Sequence, residues 1–128
     1  MSSSIPVVCA IILRQDRVML AQRPHGKTLG GLWEFPGGKV EAGESAEAAL
    51  HRELMEELGC TVEITQSLAP FEHAYAWGSI RLIPFVCKLS AGSPEPHAHE
   101  HAALAWVTCE ELKSYDLAPA DVPLLGAF

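Results

Sequence analysis

Glu53, Glu56 and Glu57 crowd into the stretch "RELMEELGC" (Arg52 to Cys60). Carboxylates this dense repel one another unless a positive charge sits among them. At about 100° of rotation per residue, Ala46, Leu50, Leu54 and Leu58 form one apolar arc of a helix. Glu57 falls inside that arc, and Glu53 and Glu56 continue from its edge as one acidic patch. A helix built only for solubility places Lys or Arg four residues after Glu; Glu53 has Glu57 there instead. Burying Glu57 without a partner costs several kcal/mol. Arg52 lies on another face of the wheel, which makes it a poor candidate for that partner. A hard divalent cation, Mg²⁺ or Mn²⁺, suits the patch because such ions take oxygen ligands. The competing reading is a solvated helix that happens to be acidic.

The elements that must hold this patch are legible nearby. Ser45 is a candidate N-cap, Glu47 suits the first turn, and Gly59 is a natural stop, so the helix is expected over Ala46–Leu58. In the loop "PGGKVEAGE" before it, Gly37, Gly38 and Gly43 let the backbone approach a ligand and aim a carbonyl at the same cation. "PVVCAIIL" reads as a buried strand and "VMLAQR" as its hairpin partner. "LWEF" is a short strand, "CTVEITQSLAPFEHAYA" and "SIRLIPFVCKL" are two strands joined near "WGS", and "AALAWVT" is another. Pro84 predicts an edge or a bulge within its strand. "CEELKSY" and "APADVPLL" read as short helices. The expected architecture is a mixed sheet with helices packed on it, in one domain spanning 1–128.

Composition narrows the function classes. A net charge of −7 argues against a binder of nucleic-acid polymers, which needs a basic face. An anionic ligand is compatible with this charge only if a cation mediates. The longest apolar run, "IPVVCAIIL", is too short to span a bilayer, and "MSSS" lacks the basic start of a secretory leader. Cys9, Cys60, Cys87 and Cys109 are scattered, with no CxxC pair, and read as reduced, mostly buried thiols. A cytoplasmic address is expected.

Gly38, five residues, Glu44, seven residues and then "RELMEELGC" fit the pattern Gx5Ex7REUxEExGU, with U a bulky apolar residue and Cys60 loosely in the last U. This resembles the Nudix box, the signature of the Nudix hydrolase family. "LAQRP", "GLWEFPGGKVE", "EHAALAW" and "LAPADVPLL" extend the resemblance to its MutT-like and CTP-pyrophosphohydrolase-like branch. The resemblance implies an α/β/α sandwich carrying a loop-helix-loop catalytic motif. It also implies a Mg²⁺- or Mn²⁺-dependent enzyme that cuts a nucleoside triphosphate to a monophosphate and pyrophosphate. Oxidised purine and modified cytidine triphosphates are the substrates it suggests, with the protein a monomer or homodimer.

By the same resemblance, Glu56 and Glu57 are the main metal ligands, with the Gly37 or Gly38 carbonyl close by. Glu53 and Glu100 match positions that bind metal or deprotonate water. Arg52 is implied to hold the carboxylates, Glu44 to brace the loop, Arg23 to contact phosphate and Lys39 to add a second contact. Phe35 and Leu82 are candidates for an apolar base slot, though as strand residues they are core by default. Asp121 is the candidate base reader: ionised it accepts from guanine N1–H and N2–H or a cytosine amine, and protonated it donates. Its alternative role is the N-cap of the last helix.

"HAHEH" would place His97, His99 and His101 on one face of an extended segment, a possible transition-metal site or simply a solvated loop. Trp33, Trp77 and Trp106 are expected in the core or in pocket walls. Two other classes compete: a non-catalytic Nudix-fold recognition module, which would normally have lost box glutamates, and a Nudix hydrolase of another nucleoside diphosphate derivative, which commonly carries extra domains.

Overall fold

The computed structural model describes residues 4–128. The "MSSS" reading falls largely on residues 1–3, outside the described ones. The elements are β1 (Ile5–Arg14), β2 (Arg17–Gln22), β3 (Trp33–Glu34), β4 (Gly37–Lys39), α1 (Ala46–Leu58), β5 (Val62–Ser67), β6 (Phe71–Tyr75), β7 (Gly78–Leu89), β8 (Ala103–Thr108), α2 (Cys109–Leu112) and a 3₁₀ segment, Pro119–Leu124.

β1 organises the chain because it is apolar on both faces. Successive strand residues point to opposite sides. Val8, Ala10 and Ile12 accordingly pack against Leu50, Leu54 and Leu58 of α1. Cys9 and Ile11 join Leu112, Ala120 and Leu124 on the far side. Two separate cores flank one sheet, which makes the α/β/α sandwich. Strand order runs β3-β2-β1-β7-β5, with β4 on β1, β6 on β7 and β8 on β2. The β1–β7 pair is parallel and the other named pairs are antiparallel, so the sheet is mixed.

α1 has the expected limits. Ser45 Oγ accepts from the Ala48 N–H at 3.1 Å. Gly59 takes φ 65° and returns its N–H to the Met55 carbonyl. A second clamp lies beyond that cap: the N–H groups of His97 and His99 donate to the Leu58 and Glu57 carbonyls at 3.1 and 3.3 Å. The 95–101 loop therefore closes the C-terminal end of the acidic helix.

Four expectations change. Part of the loop before α1, Gly37–Lys39, is a strand paired with β1, and a Cβ on Gly37 would collide with the Val8 carbonyl. The segment read as one strand up to Ala76 is two, β5 and β6, separated at Leu68–Pro70. Pro84 lies in the middle of β7, the strand that β1, β5 and β6 all join. Its carbonyl accepts from Leu68 in the gap between β5 and β6, so its missing N–H faces a place where no ladder bond is needed. The last helix is a short 3₁₀ segment that starts at Pro119. Cys9, Cys60 and Cys87 are buried free thiols, whereas Cys109 is exposed. No helix among the described residues is long and apolar enough to cross a membrane.

Candidate active site

Glu57 points into the sheet-facing side of α1, as its place on the wheel requires. Its Oε1 is buried with no hydrogen-bond partner. Burial, then the charges of Glu53, Glu34 and Glu100, push its pKa up to about 8, while the Gly37 backbone pulls it down. Glu53 is also raised, first by burial, against the opposing pull of Arg52. Its carboxyl fills the space beside Gly38 that a Cβ would need. That contact explains a glycine where β4 crosses the helix. Glu56 is exposed on the same helix. Glu100 is exposed in the loop before β8, and its charge reaches both Glu53 and Glu57.

Arg52 makes no bond to Glu57, as the wheel implies, but it does hold the neighbouring carboxylates. Its Nε and Nη2 donate to Glu44 at 2.7 and 2.9 Å, its Nη1 to Glu53 at 2.8 Å, and its Nη2 also to the Lys39 carbonyl at 3.0 Å. Glu56 is a longer contact at 3.4 Å. The long guanidinium arm reaches Glu44 in the loop and Glu53 next to it on the helix. Glu44 in turn accepts from the Glu41 N–H, and its pKa falls to about 2, mainly through Arg52. One cation thus ties loop, β4 and α1 together. Arg52→Lys keeps the charge but cannot make this fork. It is expected to lower kcat by about 10–100-fold with a smaller change in KM, measured by steady-state kinetics.

A cavity of about 290 Å³ opens beside Glu57. Arg23, Phe35, Gly37, Gly38, Lys39, Leu82 and Asp121 all line it. Phe35 and Leu82 are also core residues, 3 % and 2 % exposed, so the two readings coincide. Asp121 is buried within the 3₁₀ segment, whose N-cap is Ala118, so it does not cap that helix. Two bonds position the segment against β3: Trp33 N–H to the Asp116 carbonyl and Ala118 N–H to the Trp33 carbonyl, both 2.8 Å. Asp121 Oδ2 then accepts from the Phe35 N–H at 2.8 Å. Burial pushes its pKa up to about 7, with Glu34 adding to the rise and the Phe35 N–H and Arg23 opposing it.

Sequence reasoning missed Glu34. It lines the cavity, and its two oxygens face Arg23 Nη1 at 3.1 Å and His101 Nε2 at 3.0 Å. A carboxylate wedged into "LWEFPGG" was the available signal. Tyr75 was missed too; its hydroxyl accepts from the Ala120 N–H at 3.1 Å, and its ring stacks on Trp77 at 5.3 Å. Trp77 is a pocket wall, Trp33 packs on the core, and Trp106 lies under the Arg14 guanidinium. The three histidines do not share a face: His101 is buried against Glu34, while the rings of His97 and His99 meet each other.

The architecture and this cavity define a class. The family described as "NUDIX domain" matches residues 7–127, and the chain belongs to the Nudix hydrolase family. Among its relatives, the CTP pyrophosphohydrolase of Escherichia coli K12 is 46 % identical over 124 residues, covering 97 % of this chain and 90 % of that protein. The putative 8-oxo-dGTP diphosphatase 2 of Mycobacterium tuberculosis is 43 % identical over 116 residues, covering 90 % of this chain and 81 % of that one. The solution structure of the E. coli ORF135 protein superposes with a TM-score of 0.84 at 43 % identity, over 99 % of this chain and 89 % of that one.

Nudix hydrolases generally need a divalent metal. The donors here fit one. Glu57 Oε1 is an orphaned buried oxygen, and Glu53 and Glu56 add carboxylates on the same side of α1. Among the described residues no three His, Cys, Asp or Glu side chains stand together closely enough to hold a metal ion; in this arrangement Arg52 holds Glu53 and touches Glu56.

Proposed function

We propose that the chain is a Mg²⁺-dependent nucleoside triphosphate pyrophosphohydrolase, with Mn²⁺ as an alternative ion, that releases a nucleoside monophosphate and pyrophosphate and clears oxidised or modified nucleotides. The observation that carries this reading is one cavity with an unpartnered buried carboxylate oxygen, Glu57 Oε1, at its acidic wall and a buried hydrogen-bonding carboxyl, Asp121, in its apolar part. The names of the relatives, a CTP pyrophosphohydrolase and a putative 8-oxo-dGTP diphosphatase, support the substrate class.

In this reading Glu57, Glu56 and Glu53 hold the cation, with the Gly37 or Gly38 carbonyl beside them. A bound Mg²⁺ or Mn²⁺ would neutralise phosphate charge, polarise phosphorus and lower the pKa of a water. Arg52 keeps the carboxylates aimed. Glu53 or Glu100 takes the proton of the attacking water. Arg23 and Lys39 contact the phosphates from the cavity rim. Phe35 and Leu82 form an apolar wall for the base, and Asp121 reads its edge.

A panel of triphosphates assayed for pyrophosphate release with Mg²⁺ tests this. Turnover of 8-oxo-dGTP or a cytidine-type triphosphate is expected, with monophosphate as co-product. Folded protein that turns over nothing on the panel would contradict it and favour a recognition module. Turnover confined to dinucleotides or nucleotide sugars would move it to another Nudix activity.

A further inference from the structure

We propose that Glu34 is a positioning residue: its carboxylate fixes the plane of the Arg23 guanidinium, so that the arginine's remaining donors meet the phosphates of the nucleotide. This rests on the proposed function, in which Arg23 contacts phosphate. Arg23 directly follows β2, and Glu34 ends β3. The two strands pair antiparallel with Ala21 opposite Glu34, and the Arg23 N–H extends the ladder to the Leu32 carbonyl at 2.8 Å. Side chains two apart on a strand share a face, so Arg23 and Glu34 are diagonal neighbours. Arg23 Nη1 donates to Glu34 Oε1 at 3.1 Å, and its Nε donates to the Thr28 carbonyl at 2.7 Å. Two bonds to different elements fix a planar group in orientation as well as place. Nη2 takes part in neither bond, and the side chain lines the cavity. His101 Nε2 stands 3.0 Å from the other Glu34 oxygen and holds that carboxylate from its far side.

Charge makes the placement of Glu34 otherwise hard to explain. A carboxylate in the cavity repels a polyphosphate unless a cation neutralises it. The Glu34 charge reaches both Glu57 and Asp121 and pushes each acid up, so it spans the cavity from its acidic wall to its apolar part. Unpaired, it would oppose the ligand. Paired with Arg23, it removes the freedom of a long side chain before the nucleotide arrives, and a preorganised fork loses less on binding. The pair is not a solvated surface bridge: the side chains of Arg23 and Glu34 are 30 % and 17 % exposed. An ion pair that only tied β3 to the end of β2 would affect binding whether or not Arg23 touched the nucleotide. A positioning pair acts only through Arg23.

The test is a double-mutant cycle on the binding of α,β-methylene analogues of dGTP and CTP, measured by calorimetry with Mg²⁺. Wild type, Glu34→Ala, Arg23→Ala and the double variant are compared after circular dichroism confirms each fold. Each single variant should bind about tenfold more weakly, and the double variant no more than about twofold more weakly than Arg23→Ala alone. Glu34→Gln can still accept from Arg23 and should fall between wild type and Glu34→Ala; it carries the same cycle if the alanine variant does not fold. Losses that multiply in the double variant, or wild-type affinity in Glu34→Ala, would overturn the assignment. A second readout needs no nucleotide. The Nη resonances of Arg23 should be resolved in free wild type and averaged by rotation in Glu34→Ala, and equal resolution in both would also overturn it. A wild type that binds the analogues but hydrolyses no triphosphate would end the proposed activity and leave this coupling measurable, so the two failures are distinguishable.

Discussion

Glu57→Gln is expected to lower pyrophosphate release by at least about a hundredfold while leaving the fold intact. The substitution keeps the shape and removes one charged oxygen from the position where the cation is proposed to sit. It carries a second, opposite signature in stability. An acid whose folded pKa is raised keeps its proton in the fold while the unfolded chain has already lost it. For Glu57 this window runs from 4.5 to about 8, and for Asp121 from 3.8 to about 7. The unfolded state binds fewer protons there, so the metal-free protein must lose stability as pH rises through the window. Below it the penalty is absent. Glu57→Gln removes its share, so the variant should melt above wild type at pH 8 without metal, and the gap should shrink at pH 5. Saturating Mg²⁺ should reverse the order, because only wild type gains the ion's binding free energy. Calorimetry over pH, with and without Mg²⁺, checks both signs. A variant that melts below wild type at pH 8 without metal would contradict the description of Glu57 as an uncompensated buried acid.

Asp121→Asn should alter which base is accepted more than how fast a good substrate turns over. The amide oxygen can still accept from the Phe35 N–H, so the 3₁₀ segment should stay in place. What changes is the edge presented to the base: one acceptor becomes a fixed donor. A hydrogen bond to a charged group is worth about 1.5–3 kcal/mol, so the ratio of kcat/KM between purine and cytidine-type substrates should move by about 10–100-fold. Asp121 also has its raised pKa near neutrality, so the wild-type ratio should drift between pH 6 and 8 about the value of about 7, and the Asn variant's should not. The panel run at two pH values decides this. An unchanged ratio at both would remove Asp121 from base recognition.

How much of this was legible in the sequence follows from how local each cause is. The limits of α1 were readable because Ser45 and Gly59 act within one turn of the helix they end. The partial burial of Glu57, with its Oε1 enclosed, followed from the helical period alone. Strand β4, the break between β5 and β6, and the harmless placement of Pro84 were not readable, because each depends on which strand lies alongside. The wheel rightly kept Arg52 off Glu57, while its fork onto Glu44 depends on a loop the wheel does not describe. The parting of His101 from His97 and His99 depends on Glu34, contributed by a strand 67 residues earlier. Tyr75 and Trp77 enter the cavity only because the β6–β7 hairpin folds beside the 3₁₀ segment.

The central claim concerns the ion and the oxygen it meets. A crystal soaked in Mn²⁺ with a non-hydrolysable triphosphate analogue, read by anomalous diffraction, tests it most directly. The account predicts a peak bonded to Glu57 Oε1 and to phosphate oxygens, with the base lying against Asp121. A bound nucleotide with Glu57 still unliganded, and manganese elsewhere or absent, would contradict it.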